Sequence, residues 1–154
     1  MTRFQSNKNM KFANLIIITG LIISCAFGIW HFIIPYQYNW YSYIPSAPRE
    51  IIVSIDWTNF FFSLFLTGNS LLLLFFRKKI IAKEIVSLSF YGFLTFVWFT
   101  RIVITIVHPW NYDSMQVTQV VSFSIVFIIL LIPFVWILFK GKKSNGSFNT
   151  STIS

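Results

Sequence analysis

The sequence predicts an all-α polytopic membrane protein, a bundle of four transmembrane helices with both termini in the cytoplasm. Its 154 residues are 56% hydrophobic and only 10% charged, whereas a soluble domain carries about 25% charged residues. Four apolar segments each reach the roughly 20 residues that cross a bilayer. The basic residues are concentrated in alternate connecting segments, which is typical of a multi-pass membrane protein.

The first predicted span covers residues 12–34. About 23 residues that rise 1.5 Å each extend about 34 Å, and the hydrocarbon core is about 30 Å thick. Pro35 is expected to end this helix, because proline lacks the amide hydrogen that the helix would need to continue. The sequence before Cys25 resembles a bacterial lipobox, which would place a lipid on that cysteine. The apolar run continues beyond Cys25, and this favours an uncleaved spanning helix over a signal peptide.

Three further spans follow an aromatic connection. Residues 36–50 are rich in Tyr and Trp, whose amphipathic rings favour the headgroup region, so this connection is expected to lie in the membrane interface. The remaining spans are predicted at residues 51–76, 84–107 and 117–139. Pro133 should kink the last of these helices.

The distribution of the twelve Lys and Arg residues predicts the orientation. Residues 1–11 contain three, the link at 77–83 contains four and the tail at 140–154 contains three, so four spans place ten of them on one side. Cationic segments stay in the cytoplasm, so both termini are predicted there, with residues 12–139 forming one domain in a bacterial inner (plasma) membrane. The tail is rich in Ser, Asn and Thr and is predicted to be disordered.

Small and polar residues repeat at helical spacing along three spans. At about 100° per residue they share one face of each helix, and such faces turn inward because lipid cannot satisfy their hydrogen bonds. The predicted inward faces comprise Gly20, Ser24, Gly28 and His31 on the first span, Asp56, Asn59, Ser63, Thr67 and Ser70 on the second, and Ser87, Tyr91, Thr95, Trp98, Arg101, Thr105 and His108 on the third. The Gly-xxx-Ser-xxx-Gly pattern of the first span also predicts close helix packing.

Polar groups near one end of the predicted bundle form the candidate site. Ionisable side chains inside spans are costly and mark functional sites. His31, Asp56 and Arg101 are each expected about 6–10 Å inside the end of their span, and these three ends lie on the same side of the membrane. The candidate ligand-binding residues are His31, Asp56, Asn59, Trp98, Arg101 and His108.

Two interpretations of Asp56 and Arg101 are open from the sequence. They form a buried ion pair that fixes the register of the helices, or they line a pocket open to the outer leaflet with His31 as a titratable neighbour. A couple of His31 and Asp56 would also suit acid–base chemistry. No catalytic residue is assigned on this basis.

Several other classes of function are disfavoured. The two histidines lack metal-site spacing, so no metal is predicted, and a single cysteine cannot form an internal disulfide. No glycine-rich phosphate loop is present, so no nucleotide or other cofactor is predicted. The net charge of +8 reflects cationic cytoplasmic segments rather than nucleic-acid binding. Ion transport is disfavoured because the inner half of the spans lacks ionisable groups.

The predicted layout has four spans, short loops and a polar cluster near a His-x-x-x-Pro exit, here His31 to Pro35. This layout resembles that of DoxX-like and related small four-helix bacterial membrane proteins. The resemblance implies the four-helix membrane fold and carries no functional residue with it. The leading functional hypothesis is an outer-leaflet pocket that binds an amphipathic small molecule or lipid. The alternatives are an accessory subunit that packs against a membrane-protein partner, and an enzyme that uses His31 and Asp56 on a lipid-like substrate.

The predicted orientation can be tested with single cysteines introduced into a Cys25→Ser background. We expect cysteines at residues 36–50 and 110–116 to react with a membrane-impermeant maleimide in intact cells. Cysteines at residues 77–83 or after Lys140 should react only after the membrane is permeabilised. Labelling of the 77–83 link from outside would overturn the predicted orientation.

Overall fold

A computed structural model describes the backbone of residues 3–109 and 113–139, and the side chains of residues 10–109 and 115–139. All regular secondary structure in these residues is helical. The elements are α1 (Arg3–His31), α2 (Ile34–Gln37), a 3-10 turn (Trp40–Tyr43), α3 (Arg49–Phe75), α4 (Arg77–Ile81), α5 (Ile85–Val107) and α6 (Asp113–Phe139). The predicted tail at 140–154, and residues 110–112 of the predicted link, lie outside the described residues.

Four segments are long and apolar enough to cross a membrane, namely Met10–His31, Arg49–Phe75, Ile85–Val107 and Met115–Phe139. They belong to α1, α3, α5 and α6. The predicted all-helical, four-span membrane architecture is therefore confirmed.

The helix boundaries differ from the predicted ones where turns of helix extend into the connections. α1 ends at His31, three residues before the predicted end, and Pro35 lies in the first turn of α2 rather than at the end of α1. Proline is favourable there because the first turn of a helix needs no amide hydrogen. The link at 77–83 contains the short helix α4, and α6 begins four residues before the predicted start at 117. α6 also continues without a break through Pro133.

Helix α1 is the packing centre of the bundle. It packs against α3 on one side and α6 on the other, while α5 packs mainly against α6 and less against α3. Ile17 and Leu21 of α1 are completely buried, as are Leu94 of α5 and Leu130 of α6. The predicted inward face of α1 is buried along its length, which includes His31.

Two glycines allow the close packing of α1. A Cβ added to Gly28 would lie 2.7 Å from the backbone nitrogen of Thr67 in α3 and would also clash with the Thr67 hydroxyl oxygen. A Cβ on Gly20 would lie 2.8 Å from a methyl group of Leu130 in α6. The glycine pattern of α1 therefore serves two neighbours, and the atoms close to Gly28 include backbone atoms of Thr67 that cannot move aside.

A buried polar cluster joins three helices in the middle of the bundle. The indole N–H of Trp98 in α5 donates to the Ser24 hydroxyl oxygen of α1 over 3.0 Å, and the hydroxyls of Ser24 and Ser70 of α3 are hydrogen-bonded over 2.9 Å. All three side chains are at most 1% exposed. Because no water or lipid could replace these partners, the cluster fixes the relative positions of α1, α3 and α5.

The interface between α5 and α6 has its own polar link. The Tyr91 hydroxyl donates to the backbone carbonyl of Leu130 over 3.0 Å, and the Tyr91 side chain is completely buried. A Cβ on Gly92, the next residue, would lie 2.8 Å from the ring of Phe134. Close approach and a side-chain hydrogen bond together hold α5 against α6.

The contact at Gly28 leads to a matched mutational prediction. Gly28→Ala should lower the free energy of unfolding by about 1–3 kcal/mol, because an added methyl group forces the backbones of α1 and α3 apart. Gly68→Ala is the control, since a Cβ there meets no atom within 4 Å and the change in helix propensity is the same. Both variants can be compared by unfolding in mixed detergent–dodecyl sulfate micelles. Equal stability of the two variants would contradict the proposed packing.

Candidate functional site

A cavity of about 720 Å³ lies near the end of the bundle where α1 and α5 finish and α6 begins. Most of its wall comes from α1, α5 and α6, and α3 contributes only one of the described residues. The described lining residues are Phe27, Trp30, His31, Ile34, Tyr38, Trp40, Phe62, Phe93, Phe96, Val97, Thr100, Arg101, Ile104, Thr105, His108, Met115, Thr118, Gln119, Ser122 and Phe123. The wall is thus largely aromatic and aliphatic, with a small number of polar groups.

Arg101 is the fixed positive charge of this cavity. Its guanidinium carbon lies 4.6 Å from the centre of the Phe123 ring and 5.1 Å from that of Phe62. Such cation–π contacts contribute about 0.5–2 kcal/mol each. The guanidinium makes no hydrogen bond or ion pair with the described residues.

His31 lies in the same cavity wall and is held from two sides. The side-chain amide of Asn59 donates to the His31 backbone carbonyl over 2.9 Å, which satisfies one of the free carbonyls at the end of α1. The imidazole meets the Phe62 ring edge-on, with the ring centres 5.2 Å apart. It is 94% buried, since only 6% of the residue is exposed, and its Nδ1 atom has no hydrogen-bond partner.

The remaining polar groups of the wall surround these two residues. His108 is exposed and follows the last residue of α5. The Thr105 hydroxyl donates to the Arg101 backbone carbonyl over 2.8 Å, and the Gln116 side chain donates to the Thr105 carbonyl over 2.6 Å. Ser122 of α6 also lines the cavity. None of the described lining residues is acidic, so the charge on this part of the wall is positive.

Asp56 belongs to a different place. It is exposed and lines a second pocket of about 580 Å³, together with Asn59, Trp57 and other aromatic residues. Its carboxylate accepts a hydrogen bond from the Tyr41 hydroxyl of the 3-10 turn. No ion pair links the Asp56 carboxylate to Arg101 among the described residues, so the interpretation of these two residues as a buried pair was wrong.

The predicted couple of His31 and Asp56 is likewise not formed in the structure. His31 faces the first cavity and Asp56 lines the second. The inward face predicted for α3 holds further along the helix, where Ser63 and Ser70 are completely buried. It fails at Asp56, where the beginning of α3 meets the aromatic connection through the contact of Tyr41 with Asp56.

Trp98 is part of the core and does not line the cavity. Its indole is 1% exposed and donates to Ser24. Its ring centre lies 5.3 Å from that of Phe27 and 5.8 Å from that of Phe123, and both phenylalanines line the cavity. Trp98 therefore packs against two phenylalanines of the cavity wall from the core of the bundle. Of the six predicted site residues, His31, Arg101 and His108 line this cavity, and Asn59 contacts the backbone of His31.

The phenylalanines that contact Arg101 were not predicted from the sequence. Phe62 and Phe123 are two of 19 phenylalanines, so residue type alone does not distinguish them from those that face lipid. Helical spacing is the signal that could have found them, because Phe123 lies four residues after Gln119 and Phe62 lies three residues after Asn59.

The described residues contain no group of three or more His, Cys, Asp or Glu side chains that could hold a metal ion. A scan against models of protein families, a search of curated proteins and a search of solved structures each found no match.

The contact between Tyr41 and Asp56 leads to a prediction about titration. The hydrogen bond to Asp56, together with partial burial and the negative charge of that carboxylate, raises the pKa of Tyr41 to about 12. Because the folded-state pKa is raised, the stabilisation by this bond is complete below pH of about 10, the ordinary tyrosine pKa. It is lost as the pH rises through 12.

Absorbance of the phenolate near 295 nm can test this contact. The difference between the wild type and Tyr41→Phe should titrate with a midpoint near 12, and Asp56→Asn should move that component towards the ordinary value of about 10. Tyr43→Phe is the control in the same connection and should leave the high component in place. A wild-type titration that Tyr41→Phe alters only near pH of about 10 would show that the hydrogen bond does not form.

Proposed function

We propose that this multi-pass membrane protein binds an amphipathic small molecule or lipid in the cavity formed by α1, α5 and α6. The observation that carries the proposal is the cavity itself, in which a guanidinium and an imidazole stand within an aromatic wall. A concave, mostly apolar site with a few converging polar groups is the usual form of a small-molecule site. Its volume of about 720 Å³ lies within the range of about 300–1,000 Å³ that such sites occupy.

The position of the cavity favours a ligand that arrives from the bilayer. Phe93, Phe96 and Ile104 of α5 line the cavity, and each is between 49% and 60% exposed. Exposed side chains of a spanning helix face lipid chains. These residues therefore border a lateral opening through which an acyl chain can enter while its head group reaches Arg101.

The direction from which the ligand comes follows from the proposed orientation. If the cationic segments at residues 1–11 and 77–83 are cytoplasmic, the cavity lies in the outer leaflet. The resemblance of the layout to DoxX-like proteins supplies no ligand. The proposed function therefore depends on the cavity alone. The proposed orientation adds only the leaflet from which the ligand comes.

A cavity-filling substitution tests the proposed function. Ser122→Phe places an aromatic ring in the cavity, whereas Val121→Phe adds a ring to the adjacent residue of α6, which is 51% exposed on the lipid-facing surface. The probe is 9,10-dibromostearic acid, whose bromine atoms quench the fluorescence of nearby tryptophans such as Trp30 in the cavity wall.

We expect saturable quenching in the wild type and in Val121→Phe, and its loss in Ser122→Phe. Circular dichroism and gel filtration in detergent establish that both variants are folded. Saturable quenching that is identical in all three proteins would place the probe outside the cavity and contradict the proposed function. Quenching that never saturates would have the same meaning.

A further inference from the structure

The guanidinium of Arg101 has no anionic partner in the part of the chain that the structure describes. An arginine carries five N–H donors and no acceptor, and a charged side chain within a membrane span normally pairs with another charge, a carbonyl or a water-filled cavity. Arg101 contacts the faces of Phe62 and Phe123, and aromatic faces leave the edge of the guanidinium free. Its donors are therefore available to an acceptor in the cavity.

A second titratable group lies in the same wall. His31 is 6% exposed and lines the cavity, but its Nδ1 atom is enclosed by protein atoms and makes no hydrogen bond. The fixed charge that a ligand meets in the described part of this wall is therefore that of Arg101.

The charges of the wall determine the sign of the ligand. The acidic side chains described in the structure are Glu50, Asp56 and Glu84, and none of them lines this cavity. The Asp56 carboxylate is hydrogen-bonded to Tyr41 at the second pocket. A cationic or neutral head group would leave the guanidinium without a counter-charge in an apolar wall, whereas an anionic head group would supply it.

We propose that the cavity selects amphiphiles with an anionic oxygen head group, a carboxylate or a phosphate, which Arg101 binds while the acyl chain lies along the aromatic wall. This inference rests on the proposed function, because it names the head group of the molecule that the cavity holds. Arginine suits both groups, since its planar donors match two oxygens at once. The Ser122 hydroxyl stands in the same wall and can donate to a further oxygen.

A series of probes that differ only in the head group tests the selection on the unaltered protein. The probes are dibrominated stearic acid, stearyl alcohol and stearylamine, and a dibrominated phosphatidic acid, with tryptophan quenching as the measurement. We expect the acid to bind about 10- to 100-fold more tightly than the alcohol or the amine, because hydrogen bonds to charged groups contribute about 1.5–3 kcal/mol. The acid and the phosphatidic acid distinguish the two sources of the anion, and tight binding of either one supports the inference.

Arginine variants assign the selection to one side chain. Arg101→Gln should reduce the affinity for the preferred anionic probe by about 10- to 100-fold and leave that for the alcohol unchanged, while Arg101→Lys should recover part of the loss. Arg49→Gln, at the start of α3, is the control because it removes the same charge at a residue that does not line the cavity. If Arg101→Gln does not fold, the probe series on the wild type still decides the question.

The possible results separate this inference from the proposed function. Equal affinities for the acid, the alcohol and the amine, all abolished by Ser122→Phe, would overturn the head-group inference and leave the binding function standing. Preference for the amine would also overturn the inference. Quenching that Ser122→Phe does not affect would contradict the proposed function, and the inference would fail with it.

Discussion

Lipid offers no hydrogen-bonding partner, and this constraint determines where the polar side chains of the bundle lie. In the middle of the molecule they satisfy one another, as Ser24, Ser70 and Trp98 do across three helices. Towards the end of α1 and α5 the helices no longer close on one another, and a cavity remains. Arg101 and His31 lie at the wall of that cavity, and the guanidinium of Arg101 makes no hydrogen bond with the described residues.

The sequence was sufficient to predict the architecture, because the two features that determine it are local. Apolar length and helical spacing depend on one segment at a time, so the four spans and the inward face of α1 could be read directly. The residues that meet in the cavity depend on how separate helices rotate and tilt. Spacing put Asp56 on the same face as Ser63 and Ser70, but it could not reveal that Tyr41 from the connection would bind the Asp56 carboxylate.

The separation of Asp56 from Arg101 and His31 bears on the competing interpretations. An acid–base couple needs its two groups within hydrogen-bonding reach, and His31 and Asp56 line different pockets. An ion pair that locks the fold needs the same proximity between Asp56 and Arg101. What remains is a cavity with positive charge and apolar walls, and the proposed binding function rests on it.

The most direct measurement of the central claim is photocrosslinking in native membranes with a fatty acid that carries a diazirine in its chain, followed by mass-spectrometric mapping of the adducts. The account predicts adducts concentrated on lining residues of α5 and α6, such as Thr100 and Phe123, which excess unlabelled fatty acid should suppress. Adducts spread over lipid-facing residues such as Phe61 and Leu72, with no suppression by competitor, would contradict it.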